Sequence, residues 1–259
     1  MQITKEVSYL IGLIQTDGHL SESSRNRGSF SIELSYKDKD IIDKIADLIP
    51  YNYKVFSRTR KTNFSDNHQS IGLRVYAKEF RDFLVTCNVP VGRKSKTVSP
   101  PSHLSLSQID YVRGLIDGDG SLGISQKQYP FITFTTDSDP LKDYVLDFFN
   151  KISSSHYTFN RNKRDNIYNL SFFREKAVDI VTTLYYDDNI ISINRKLEKA
   201  QIIKKWKRPK SMRVRSKQKK WTPEQDSYIL THSLKDSMEY LDRTEQSVKL
   251  RLWRLKNST

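Results

Sequence analysis

The sequence is poor in the features that mark secreted, membrane-spanning and zinc-binding proteins. It has one cysteine, Cys87, so no internal disulfide can form. Its five histidines never pair at the spacing of a zinc site, and no apolar run approaches the ~18 residues that a membrane span needs. The first residues lack the basic and then apolar layout of a secretory signal. These absences predict a soluble intracellular protein that is not secreted and has no membrane partner.

Positive charge is abundant and unevenly distributed. The 259 residues carry a net charge of +14, and residues 194–220 alone hold 13 Lys and Arg against one acid. Residues 1–193 have a net charge of +2, and residues 221–259 are neutral. This excess favours a polyanionic partner, nucleic acid above all. A solvated basic linker that only aids solubility is the alternative.

Two short segments, separated by a constant offset of 102 residues, are near copies of each other. Residues 10–18 read LIGLIQTDG and residues 112–120 read VRGLIDGDG. A repeat at this spacing indicates a duplicated structural unit. In each copy an apolar helical pattern ends in one carboxylate, Asp17 or Asp119. The glycine that follows, Gly18 or Gly120, is expected to end the helix in the left-handed conformation.

The segments after each copy also correspond. Each half is predicted to continue with a strand, a helix, two further strands and a closing helix. In the first half these are 30–36, 40–49, 53–59, 70–76 and 78–87. In the second half they are 130–136, 139–152, 157–161, 168–173 and 175–186. The sequence therefore predicts an αββαββα unit that occurs twice.

Gly12 and Gly114 lie in the middle of apolar helices, where glycine costs roughly 1 kcal/mol relative to alanine. Close side-by-side packing of the two helices would account for both glycines and would bring Asp17 and Asp119 to one place. Acids at helix C-termini face the negative end of the helix dipole, and here they also face each other. Because a divalent cation would reverse both penalties, we predict that the two carboxylates bind a metal. The alternative for either residue alone is an ordinary helix-end acid before glycine.

A lysine follows each aspartate at the same distance. Lys94 lies 77 residues after Asp17, and Lys196 lies 77 residues after Asp119. A lysine near a metal-bound phosphate can stabilise developing charge or polarise the attacking water. Ordinary phosphate contact within a basic face is the equal alternative.

The two copies resemble the paired motif of the LAGLIDADG homing endonucleases in their single-chain form, over roughly residues 1–203. The resemblance implies an α+β fold, in which a duplicated αββαββα unit has pseudo-twofold symmetry and two antiparallel saddle-shaped sheets. It implies hydrolysis of one phosphodiester per strand of double-stranded DNA at a long asymmetric site, with Mg²⁺ or, as a substitute, Mn²⁺. By that resemblance Asp17 and Asp119 match the catalytic metal-binding carboxylates, and Lys94 and Lys196 match the basic catalytic residues. Two motifs in one chain imply a monomer.

The sequence departs from the family pattern at one position of the first motif. Gln15 stands where the second motif has Asp117, but this position does not match a metal ligand of the family. Near the end of the second strand, where the family often has a polar residue, this chain offers Tyr36 or Lys37 in one half. In the other half it offers Thr136 or Asp137, and these roles stay open.

The DNA-facing surface is expected on sheet residues that point away from the helices, where arginine can read guanine bidentately. An exposed solvated charge is the alternative for any single basic residue. For the first half the candidates are Arg25, Arg27, Arg58, Arg60, Lys61 and Arg74. For the second half they are Lys127, Arg161, Lys163, Arg164 and Arg174. Towards the C-terminus they are Lys207, Arg208, Arg213, Arg215, Lys249 and Arg251.

The last 39 residues predict a separate unit of three helices, the third of which is basic. The segment resembles a Myb/SANT-like domain in its opening WTPEQD and in RTEQSV before the last helix. Three helices with a basic third helix suit a helix-turn-helix DNA reader, and Trp221 and Trp253 are expected in its core and not stacked on bases. A protein-interaction module is the alternative.

Together these observations predict five segments. They are a first repeat at 1–97, a linker at 98–106, a second repeat at 107–203, a basic linker at 204–220 and a Myb-like domain at 221–259. The leading hypothesis is a site-specific homing endonuclease located in the cytoplasm or wherever the host DNA resides. The alternatives on the same scaffold are a maturase that binds intron RNA and a DNA-binding regulator without cleavage.

Overall fold

The computed structural model describes residues 1–21, 28–62, 65–209, 212 and 220–257. The chain divides into two compact units, Met1–Arg208 and Pro209–Thr259. Among the described residues, no helix combines the length and the apolar character that crossing a membrane requires.

The first half of the Met1–Arg208 unit opens with helix α1, which passes directly into the first strand of a four-stranded antiparallel sheet. The strands are arranged in the order β1-β2-β4-β3. The elements are α1 (Lys5–Asp17), β1 (Gly18–Ser21), β2 (Ser29–Ser35), α2 (Lys39–Ala46), β3 (Tyr53–Thr62), β4 (Ser65–Val75) and α3 (Lys78–Thr86).

The second half repeats this order with one strand fewer and one additional helix at its end. Its sheet is antiparallel, in the order β5-β6-β7. The elements are α4 (Gln108–Asp119), β5 (Gly120–Ile124), β6 (Pro130–Thr136), α5 (Asp139–Ile152), β7 (Tyr168–Phe173), α6 (Glu175–Leu184) and α7 (Asn194–Lys204).

The core of this unit lies between the helices and one face of each sheet. In β2 the buried residues Phe30, Ile32 and Leu34 alternate with partly exposed ones, so one face of the first sheet packs inward. In β6 Ile132 and Phe134 do the same for the second sheet. Helices α1 and α4 are buried along most of their length, which accounts for their nearly continuous apolar sequences.

The predicted fold class is confirmed: the unit is mixed α+β with antiparallel sheets, but one predicted strand is missing. Residues 157–161 have no regular secondary structure. Arg161 is held instead by Asp137 and Asp139, at 2.5 and 3.0 Å, and by the carbonyl of Asn166 at 2.7 Å. These contacts fix the segment without a neighbouring strand, so the second sheet stops at three strands.

The Pro209–Thr259 unit contains helices α8 (Pro223–Thr231), α9 (Leu234–Leu241) and α10 (Glu245–Lys256). A hydroxyl side chain caps the start of each helix, from Thr222, Ser233 and Thr244 respectively. The expectation that Trp253 belongs to the core is wrong, because its side chain is 62% exposed. Apolar spacing along α10 cannot distinguish its buried side, marked by Val248, from the neighbouring exposed side.

Candidate functional site

Helices α1 and α4 lie against each other so closely that no side chain fits at their crossing. A Cβ added to Gly12 would come within 2.2 Å of the Tyr111 carbonyl oxygen. A Cβ added to Gly114 would come within 2.1 Å of the Tyr9 carbonyl oxygen. The two contacts are exchanged by the 102-residue offset, so the helix pair has a local pseudo-twofold relation. The explanation of both glycines by close helix packing is therefore correct.

Both helices continue into a strand through a glycine, but not in the predicted conformation. Gly18 has φ −73° and Gly120 has φ −101°, both with extended backbone, so the left-handed helix ends were wrongly predicted. Space is the actual requirement. A Cβ at Gly18 would lie 2.6 Å from the Ile14 carbonyl oxygen, and one at Gly120 would lie 2.6 Å from that of Ile116.

The crossing brings the last residues of the two helices, Asp17 and Asp119, into one electrostatic cluster. Asp17 is half-buried, and its Oδ2 is buried without a hydrogen-bond partner among the described residues. Burial, and secondarily the charge of Asp119, raise the pKa of Asp17 to about 7. Asp119 is the more exposed of the two, and desolvation on its protein side raises its pKa as well. Both carboxylates thus face conditions that favour protonation or a bound cation.

The absence of a side chain at Gly118 leaves room for the Asp17 carboxylate. A Cβ at Gly118 would lie 2.6 Å from Asp17 Oδ2 and 1.9 Å from Thr16 Oγ1. The carboxylate of one helix therefore lies against the backbone of the other, one residue before Asp119. Nothing in the sequence predicted this role for Gly118, because glycine is not repeated there: the equivalent residue of the first copy is Thr16.

Lys94 and Lys196 lie at equivalent places beside the acids. Lys94 Nζ donates to the Ile14 carbonyl at 2.8 Å. Lys196 Nζ donates to the equivalent Ile116 carbonyl at 2.7 Å, and also to those of Asp117 and Gly120 at 2.6 and 2.9 Å. Each ammonium therefore adds a second donor to a carbonyl that already accepts the N–H of the glycine after its helix, Gly18 or Gly120, at the helix end where a positive charge is favourable.

Burial also changes the acidity of the two lysines. It lowers the pKa of Lys94 to about 8, against the opposing effect of Asp17 and Asp119. It lowers the pKa of Lys196 as well, against the opposing effect of Asp117. Both ammonium groups act on the pKa of both Asp17 and Asp119, so the four side chains form a single cluster.

The position at which the two motifs differ is buried and structural. Asp117 accepts hydrogen bonds from Tyr9 Oη at 2.7 Å, Tyr185 Oη at 2.6 Å and the Ile193 amide at 2.9 Å. At the equivalent place Gln15 donates from Nε2 to the carbonyls of Cys87 at 2.8 Å and Ser99 at 2.9 Å, and accepts from Tyr111 Oη. An acid suits three donors and an amide suits two carbonyls, which explains the difference.

The carboxylates of Asp17 and Asp119 are suitable ligands for a hard divalent cation whose remaining coordination positions are filled by other ligands. Two carboxylates converge, and the described residues contain no group of three or more His, Cys, Asp or Glu side chains that could hold a metal. Mg²⁺ is commonly bound through one or two carboxylates together with substrate phosphates and water. The unpartnered Asp17 Oδ2 is an oxygen ligand of the right kind, so the residues present fit such an ion.

Three of the basic residues predicted for the first half lie on the face of the first sheet that turns away from the core. Strand register aligns Arg74 with Lys54, Arg58 with Ser70 and Arg60 with His68. Arg58 and Arg60 approach Glu33 at 3.6 and 3.7 Å and remain more than half exposed. Lys61 is also on β3 and pairs with Asp66 at 2.7 Å. Arg25 and Arg27 lie outside the described residues.

The basic residues predicted for the second half are not on its strands. Lys127 is exposed in the turn between β5 and β6, and Lys163 and Arg164 lie in the loop before β7. Arg164 pairs with its neighbour Asp165, and Arg161 is committed to Asp137 and Asp139. Arg174 follows β7, with its guanidinium 4.8 Å from the Tyr129 ring centroid. The expectation that these residues lie on the outer sheet face is wrong, because all of them lie in the connections before and after the strands.

Several of the DNA-binding residues predicted near the C-terminus form ion pairs with acidic side chains. Arg208 pairs with Glu175 at 2.6 Å, whereas Lys207 is exposed. On α10 Lys249 pairs with Glu245 at 2.5 Å. Arg251 pairs with Asp226 at 2.5 Å, and its side chain is only 28% exposed. Arg213 and Arg215 lie outside the described residues.

Known proteins resemble this chain in the sequence of its first half and in its fold. The family model described as LAGLIDADG-like domain matches residues 4–88. No curated protein sequence matches the chain. Among solved structures, the homing endonuclease I-WcaI bound to its DNA recognition sequence is similar at 14% identity, with a TM-score of 0.52 over 76% of this chain and 88% of that one.

Two further structures are similar at lower scores. The I-LtrWI LAGLIDADG homing endonuclease bound to target DNA has 12% identity and a TM-score of 0.49 over 77% of this chain and 88% of that one. The N-terminal LAGLIDADG domain of DUF199/WhiA has 16% identity and a TM-score of 0.48 over 77% and 86%. Residues 4–88 thus form a LAGLIDADG-like domain, and the chain has the mixed α+β LAGLIDADG fold that occurs in homing endonucleases.

Proposed function

We propose that this protein is a site-specific, metal-dependent endonuclease that cuts both strands of double-stranded DNA. The observation that carries the proposal is the convergence of Asp17 and Asp119 at the ends of two helices packed through glycine. This arrangement is electrostatically unfavourable without a cation, because burial and mutual repulsion raise the pKa of Asp17 to about 7. Folding alone does not require two acids there.

In this proposal the chain's own residues have separate tasks. Asp17 and Asp119 would hold Mg²⁺, with Mn²⁺ as a substitute, at the point where the two halves meet. The ion would supply charge stabilisation at the scissile phosphate and a more acidic bound water. Lys94 and Lys196 fix the helix ends through the Ile14 and Ile116 carbonyls, at 2.8 and 2.7 Å, and place positive charge beside the phosphates.

DNA would lie on the outward faces of the two sheets. Where β2, β3 and β4 pair regularly and are described, the first of these faces carries Lys54, Arg58, Arg60 and Arg74 against one acid, Glu33, so it is attractive to phosphate and to guanine. The strongly basic segment 194–220, which follows the second sheet in sequence, would add phosphate contacts. Because both motifs are in one chain, we propose a monomer with repeats at 1–97 and 107–203, joined by the linker 98–106.

The C-terminal unit would be a second DNA-binding module. We propose that 221–259 is a Myb-like helix-turn-helix domain on the basic linker 204–220, and that it raises the local concentration of the nuclease at its site. We also propose that the protein is an intron-homing enzyme that acts in the compartment holding the host DNA.

Selection followed by cleavage tests this proposal. The full chain with both Asp17→Asn and Asp119→Asn is used to select bound duplexes from a random library in Mg²⁺. The wild type, each single variant and an Asp179→Asn control, which alters an exposed acid of α6, are then incubated with the selected duplex. We expect wild type and Asp179→Asn to cut both strands, and each active-site variant to lose at least about 1,000-fold in rate.

The result also separates the alternatives. Specific binding with no cleavage under Mg²⁺ or Mn²⁺ would refute the nuclease and indicate a DNA-binding regulator. Tight binding to structured intron RNA in preference to any selected duplex would indicate a maturase.

A further inference from the structure

The outward faces of the two sheets differ in chemistry although their strands correspond. Every residue of β5, β6 and β7 is described, and the side chains that alternate with the buried ones there carry no charge. They are Ser121, Gly123, Phe131, Thr133, Thr135, Asn169, Ser171 and Phe173. On the first sheet, the described part of the face on which β2, β3 and β4 pair regularly carries four cations and one acid.

One element is common to both faces: a phenylalanine opposite a glycine. On the first sheet Phe56 lies opposite Gly72, and a Cβ at Gly72 would come within 2.5 Å of the Phe56 ring. Two guanidinium groups flank this ring, from Arg58 at 5.0 Å and from Arg74 at 5.3 Å from its centroid. The aromatic surface of the first sheet is therefore covered by cations that can donate to base edges or phosphates.

On the second sheet the corresponding aromatic surface is open. Phe131 lies opposite Gly123 on one side and Phe173 on the other. Phe173, the last residue of the edge strand β7, is 53% exposed. The flanking rows are hydroxyls and one amide, and Thr135 Oγ1 donates to Asn169 Oδ1 at 3.0 Å. The Asn169 amide group is thus oriented with its Nδ2 available as a donor.

These two faces match different base pairs. Arginine is suited to the O6 and N7 acceptors of guanine, whereas asparagine pairs with adenine and apolar groups contact the thymine methyl. We propose that the two sheets read halves of unlike composition: guanine-containing on the first sheet and rich in A·T pairs on the second. In the second half Phe131 and Phe173 would contact thymine methyl groups, and Asn169 would donate to an adjacent base. This inference rests on the proposed DNA binding, but not on cleavage.

The phosphate contacts of the second half would come from its loops. Lys127 and Lys163 are exposed beside the sheet, and Arg174 stands at the end of β7. Positive charge at the rim with an uncharged centre separates backbone positioning from base reading. The first sheet, in contrast, carries both tasks on one face.

The test begins with duplexes selected by the full chain carrying Asp17→Asn and Asp119→Asn. Cys87 is buried and is the only cysteine, so an added cysteine can be labelled alone. An iron chelate on Lys127→Cys cuts DNA near the second sheet, and one on Lys61→Cys cuts near the first sheet. We expect the cuts from position 127 to fall in an A·T-rich half and those from position 61 in a half that contains selected guanines.

Replacing thymine by deoxyuridine, which removes only the methyl group, then tests the phenylalanines. Replacement in the half marked by position 127 should weaken binding roughly 2- to 5-fold for each contacted thymine. Replacement in the other half should change binding less than 2-fold. Phe173→Ala should remove the part of the sensitivity to uracil that Phe131 does not supply, and Phe173→Leu, which keeps an apolar contact, should retain most of it. Arg58→Ala should relax selection of guanine in the other half by roughly 10-fold.

The outcomes separate this inference from the proposed function. Guanine selected throughout the half near position 127, or equal uracil sensitivity in wild type and Phe173→Ala, would overturn the unlike halves while specific DNA binding stands. A selection that yields no sequence preference would overturn both. A circular dichroism spectrum and a thermal midpoint equal to those of the parent show that each variant folds.

Discussion

The two halves of the Met1–Arg208 unit agree where α1 meets α4 and differ where their sheets face outward. At the crossing, Gly12 and Gly114, Asp17 and Asp119, and Lys94 and Lys196 occupy equivalent positions at an offset of 102 residues. On the outer faces, charged side chains in one half correspond to hydroxyl, amide and phenylalanine side chains in the other.

The difference indicates that the two regions are subject to different physical demands. Backbones that approach within van der Waals contact allow only glycine, whatever the partner of the protein is. An outward sheet face contributes little to the core, so its side chains are free to suit a ligand. The crossing therefore defines what both halves share, and the faces define what each half does separately.

The largest expected effect comes from breaking the shared crossing. Gly114→Ala should destabilise the protein by about 4 kcal/mol or more, because the added methyl group meets three backbone atoms of α1 that cannot move independently. Gly123→Ala is the matched control, because its Cβ would meet Phe131 at an ordinary 3.4 Å. Urea unfolding of the full chain measures both, and equal midpoints for the two variants would contradict the close packing.

The next effect tests the position at which the halves differ inside the core. Gln15→Glu should cost about 3 kcal/mol at pH 8, because a carboxylate would face the carbonyls of Cys87 and Ser99. Its pKa in the folded protein would be raised, so the cost should be absent below about pH 4 and complete above the raised pKa. Denaturant unfolding from pH 4 to 8 measures the difference from wild type. A difference in unfolding free energy between Gln15→Glu and wild type that does not change with pH would show that a carboxylate is tolerated beside the Cys87 and Ser99 carbonyls.

A smaller effect compares the two lysines. Lys196→Met should cost about 2 kcal/mol and Lys94→Met about 1 kcal/mol, because Lys196 Nζ donates to three carbonyls and Lys94 Nζ to one. Unfolding midpoints give both values. If the two variants lose equal stability, the number of carbonyls to which each lysine donates does not determine its contribution to the free energy of unfolding.

The smallest effect concerns the pH dependence of stability without metal. The pKa of Asp17 in the folded protein is about 7, above its ordinary value of about 3.9, so folding is favoured while the group is protonated. This contribution is complete below about pH 4 and is lost as the pH rises through 7. In the presence of a chelator, Asp17→Asn should therefore gain about 1 kcal/mol relative to wild type between pH 4.5 and 8, after allowance for solvent screening. A stability difference between Asp17→Asn and wild type that does not change with pH would contradict the raised pKa of Asp17.

The crossing could be predicted from sequence because its signals are local. Apolar spacing, a glycine inside the helix and a terminal acid recur in order, and the 77-residue spacing identified the lysines. The partners of Gln15 and Asp117 could not be predicted, because they come from segments that are distant in sequence, such as Cys87, Ser99 and Ile193.

The outer faces were predicted less well, because they too depend on contacts between segments that are distant in sequence. A basic residue in a strand and one in a neighbouring loop look alike in sequence, and only the register shows that Arg161 and Arg174 are outside the second sheet. Residues 157–161 have a strand-like composition, but ion pairs from Asp137 and Asp139 to Arg161 decide their course. Phe131 and Phe173 were assigned no role, because alternation alone does not tell which face a phenylalanine occupies.

Binding of Mn²⁺ to the complex of the full chain with its selected duplex tests the central claim most directly. Electron paramagnetic resonance of free Mn²⁺ during titration gives the affinity for wild type, Asp17→Asn, Asp119→Asn and the Asp179→Asn control. The two carboxylates are expected to share one cation centre, so each of the first two variants should weaken binding at least about 10-fold, and the control should match wild type. Equal Mn²⁺ binding by all four proteins would contradict the account.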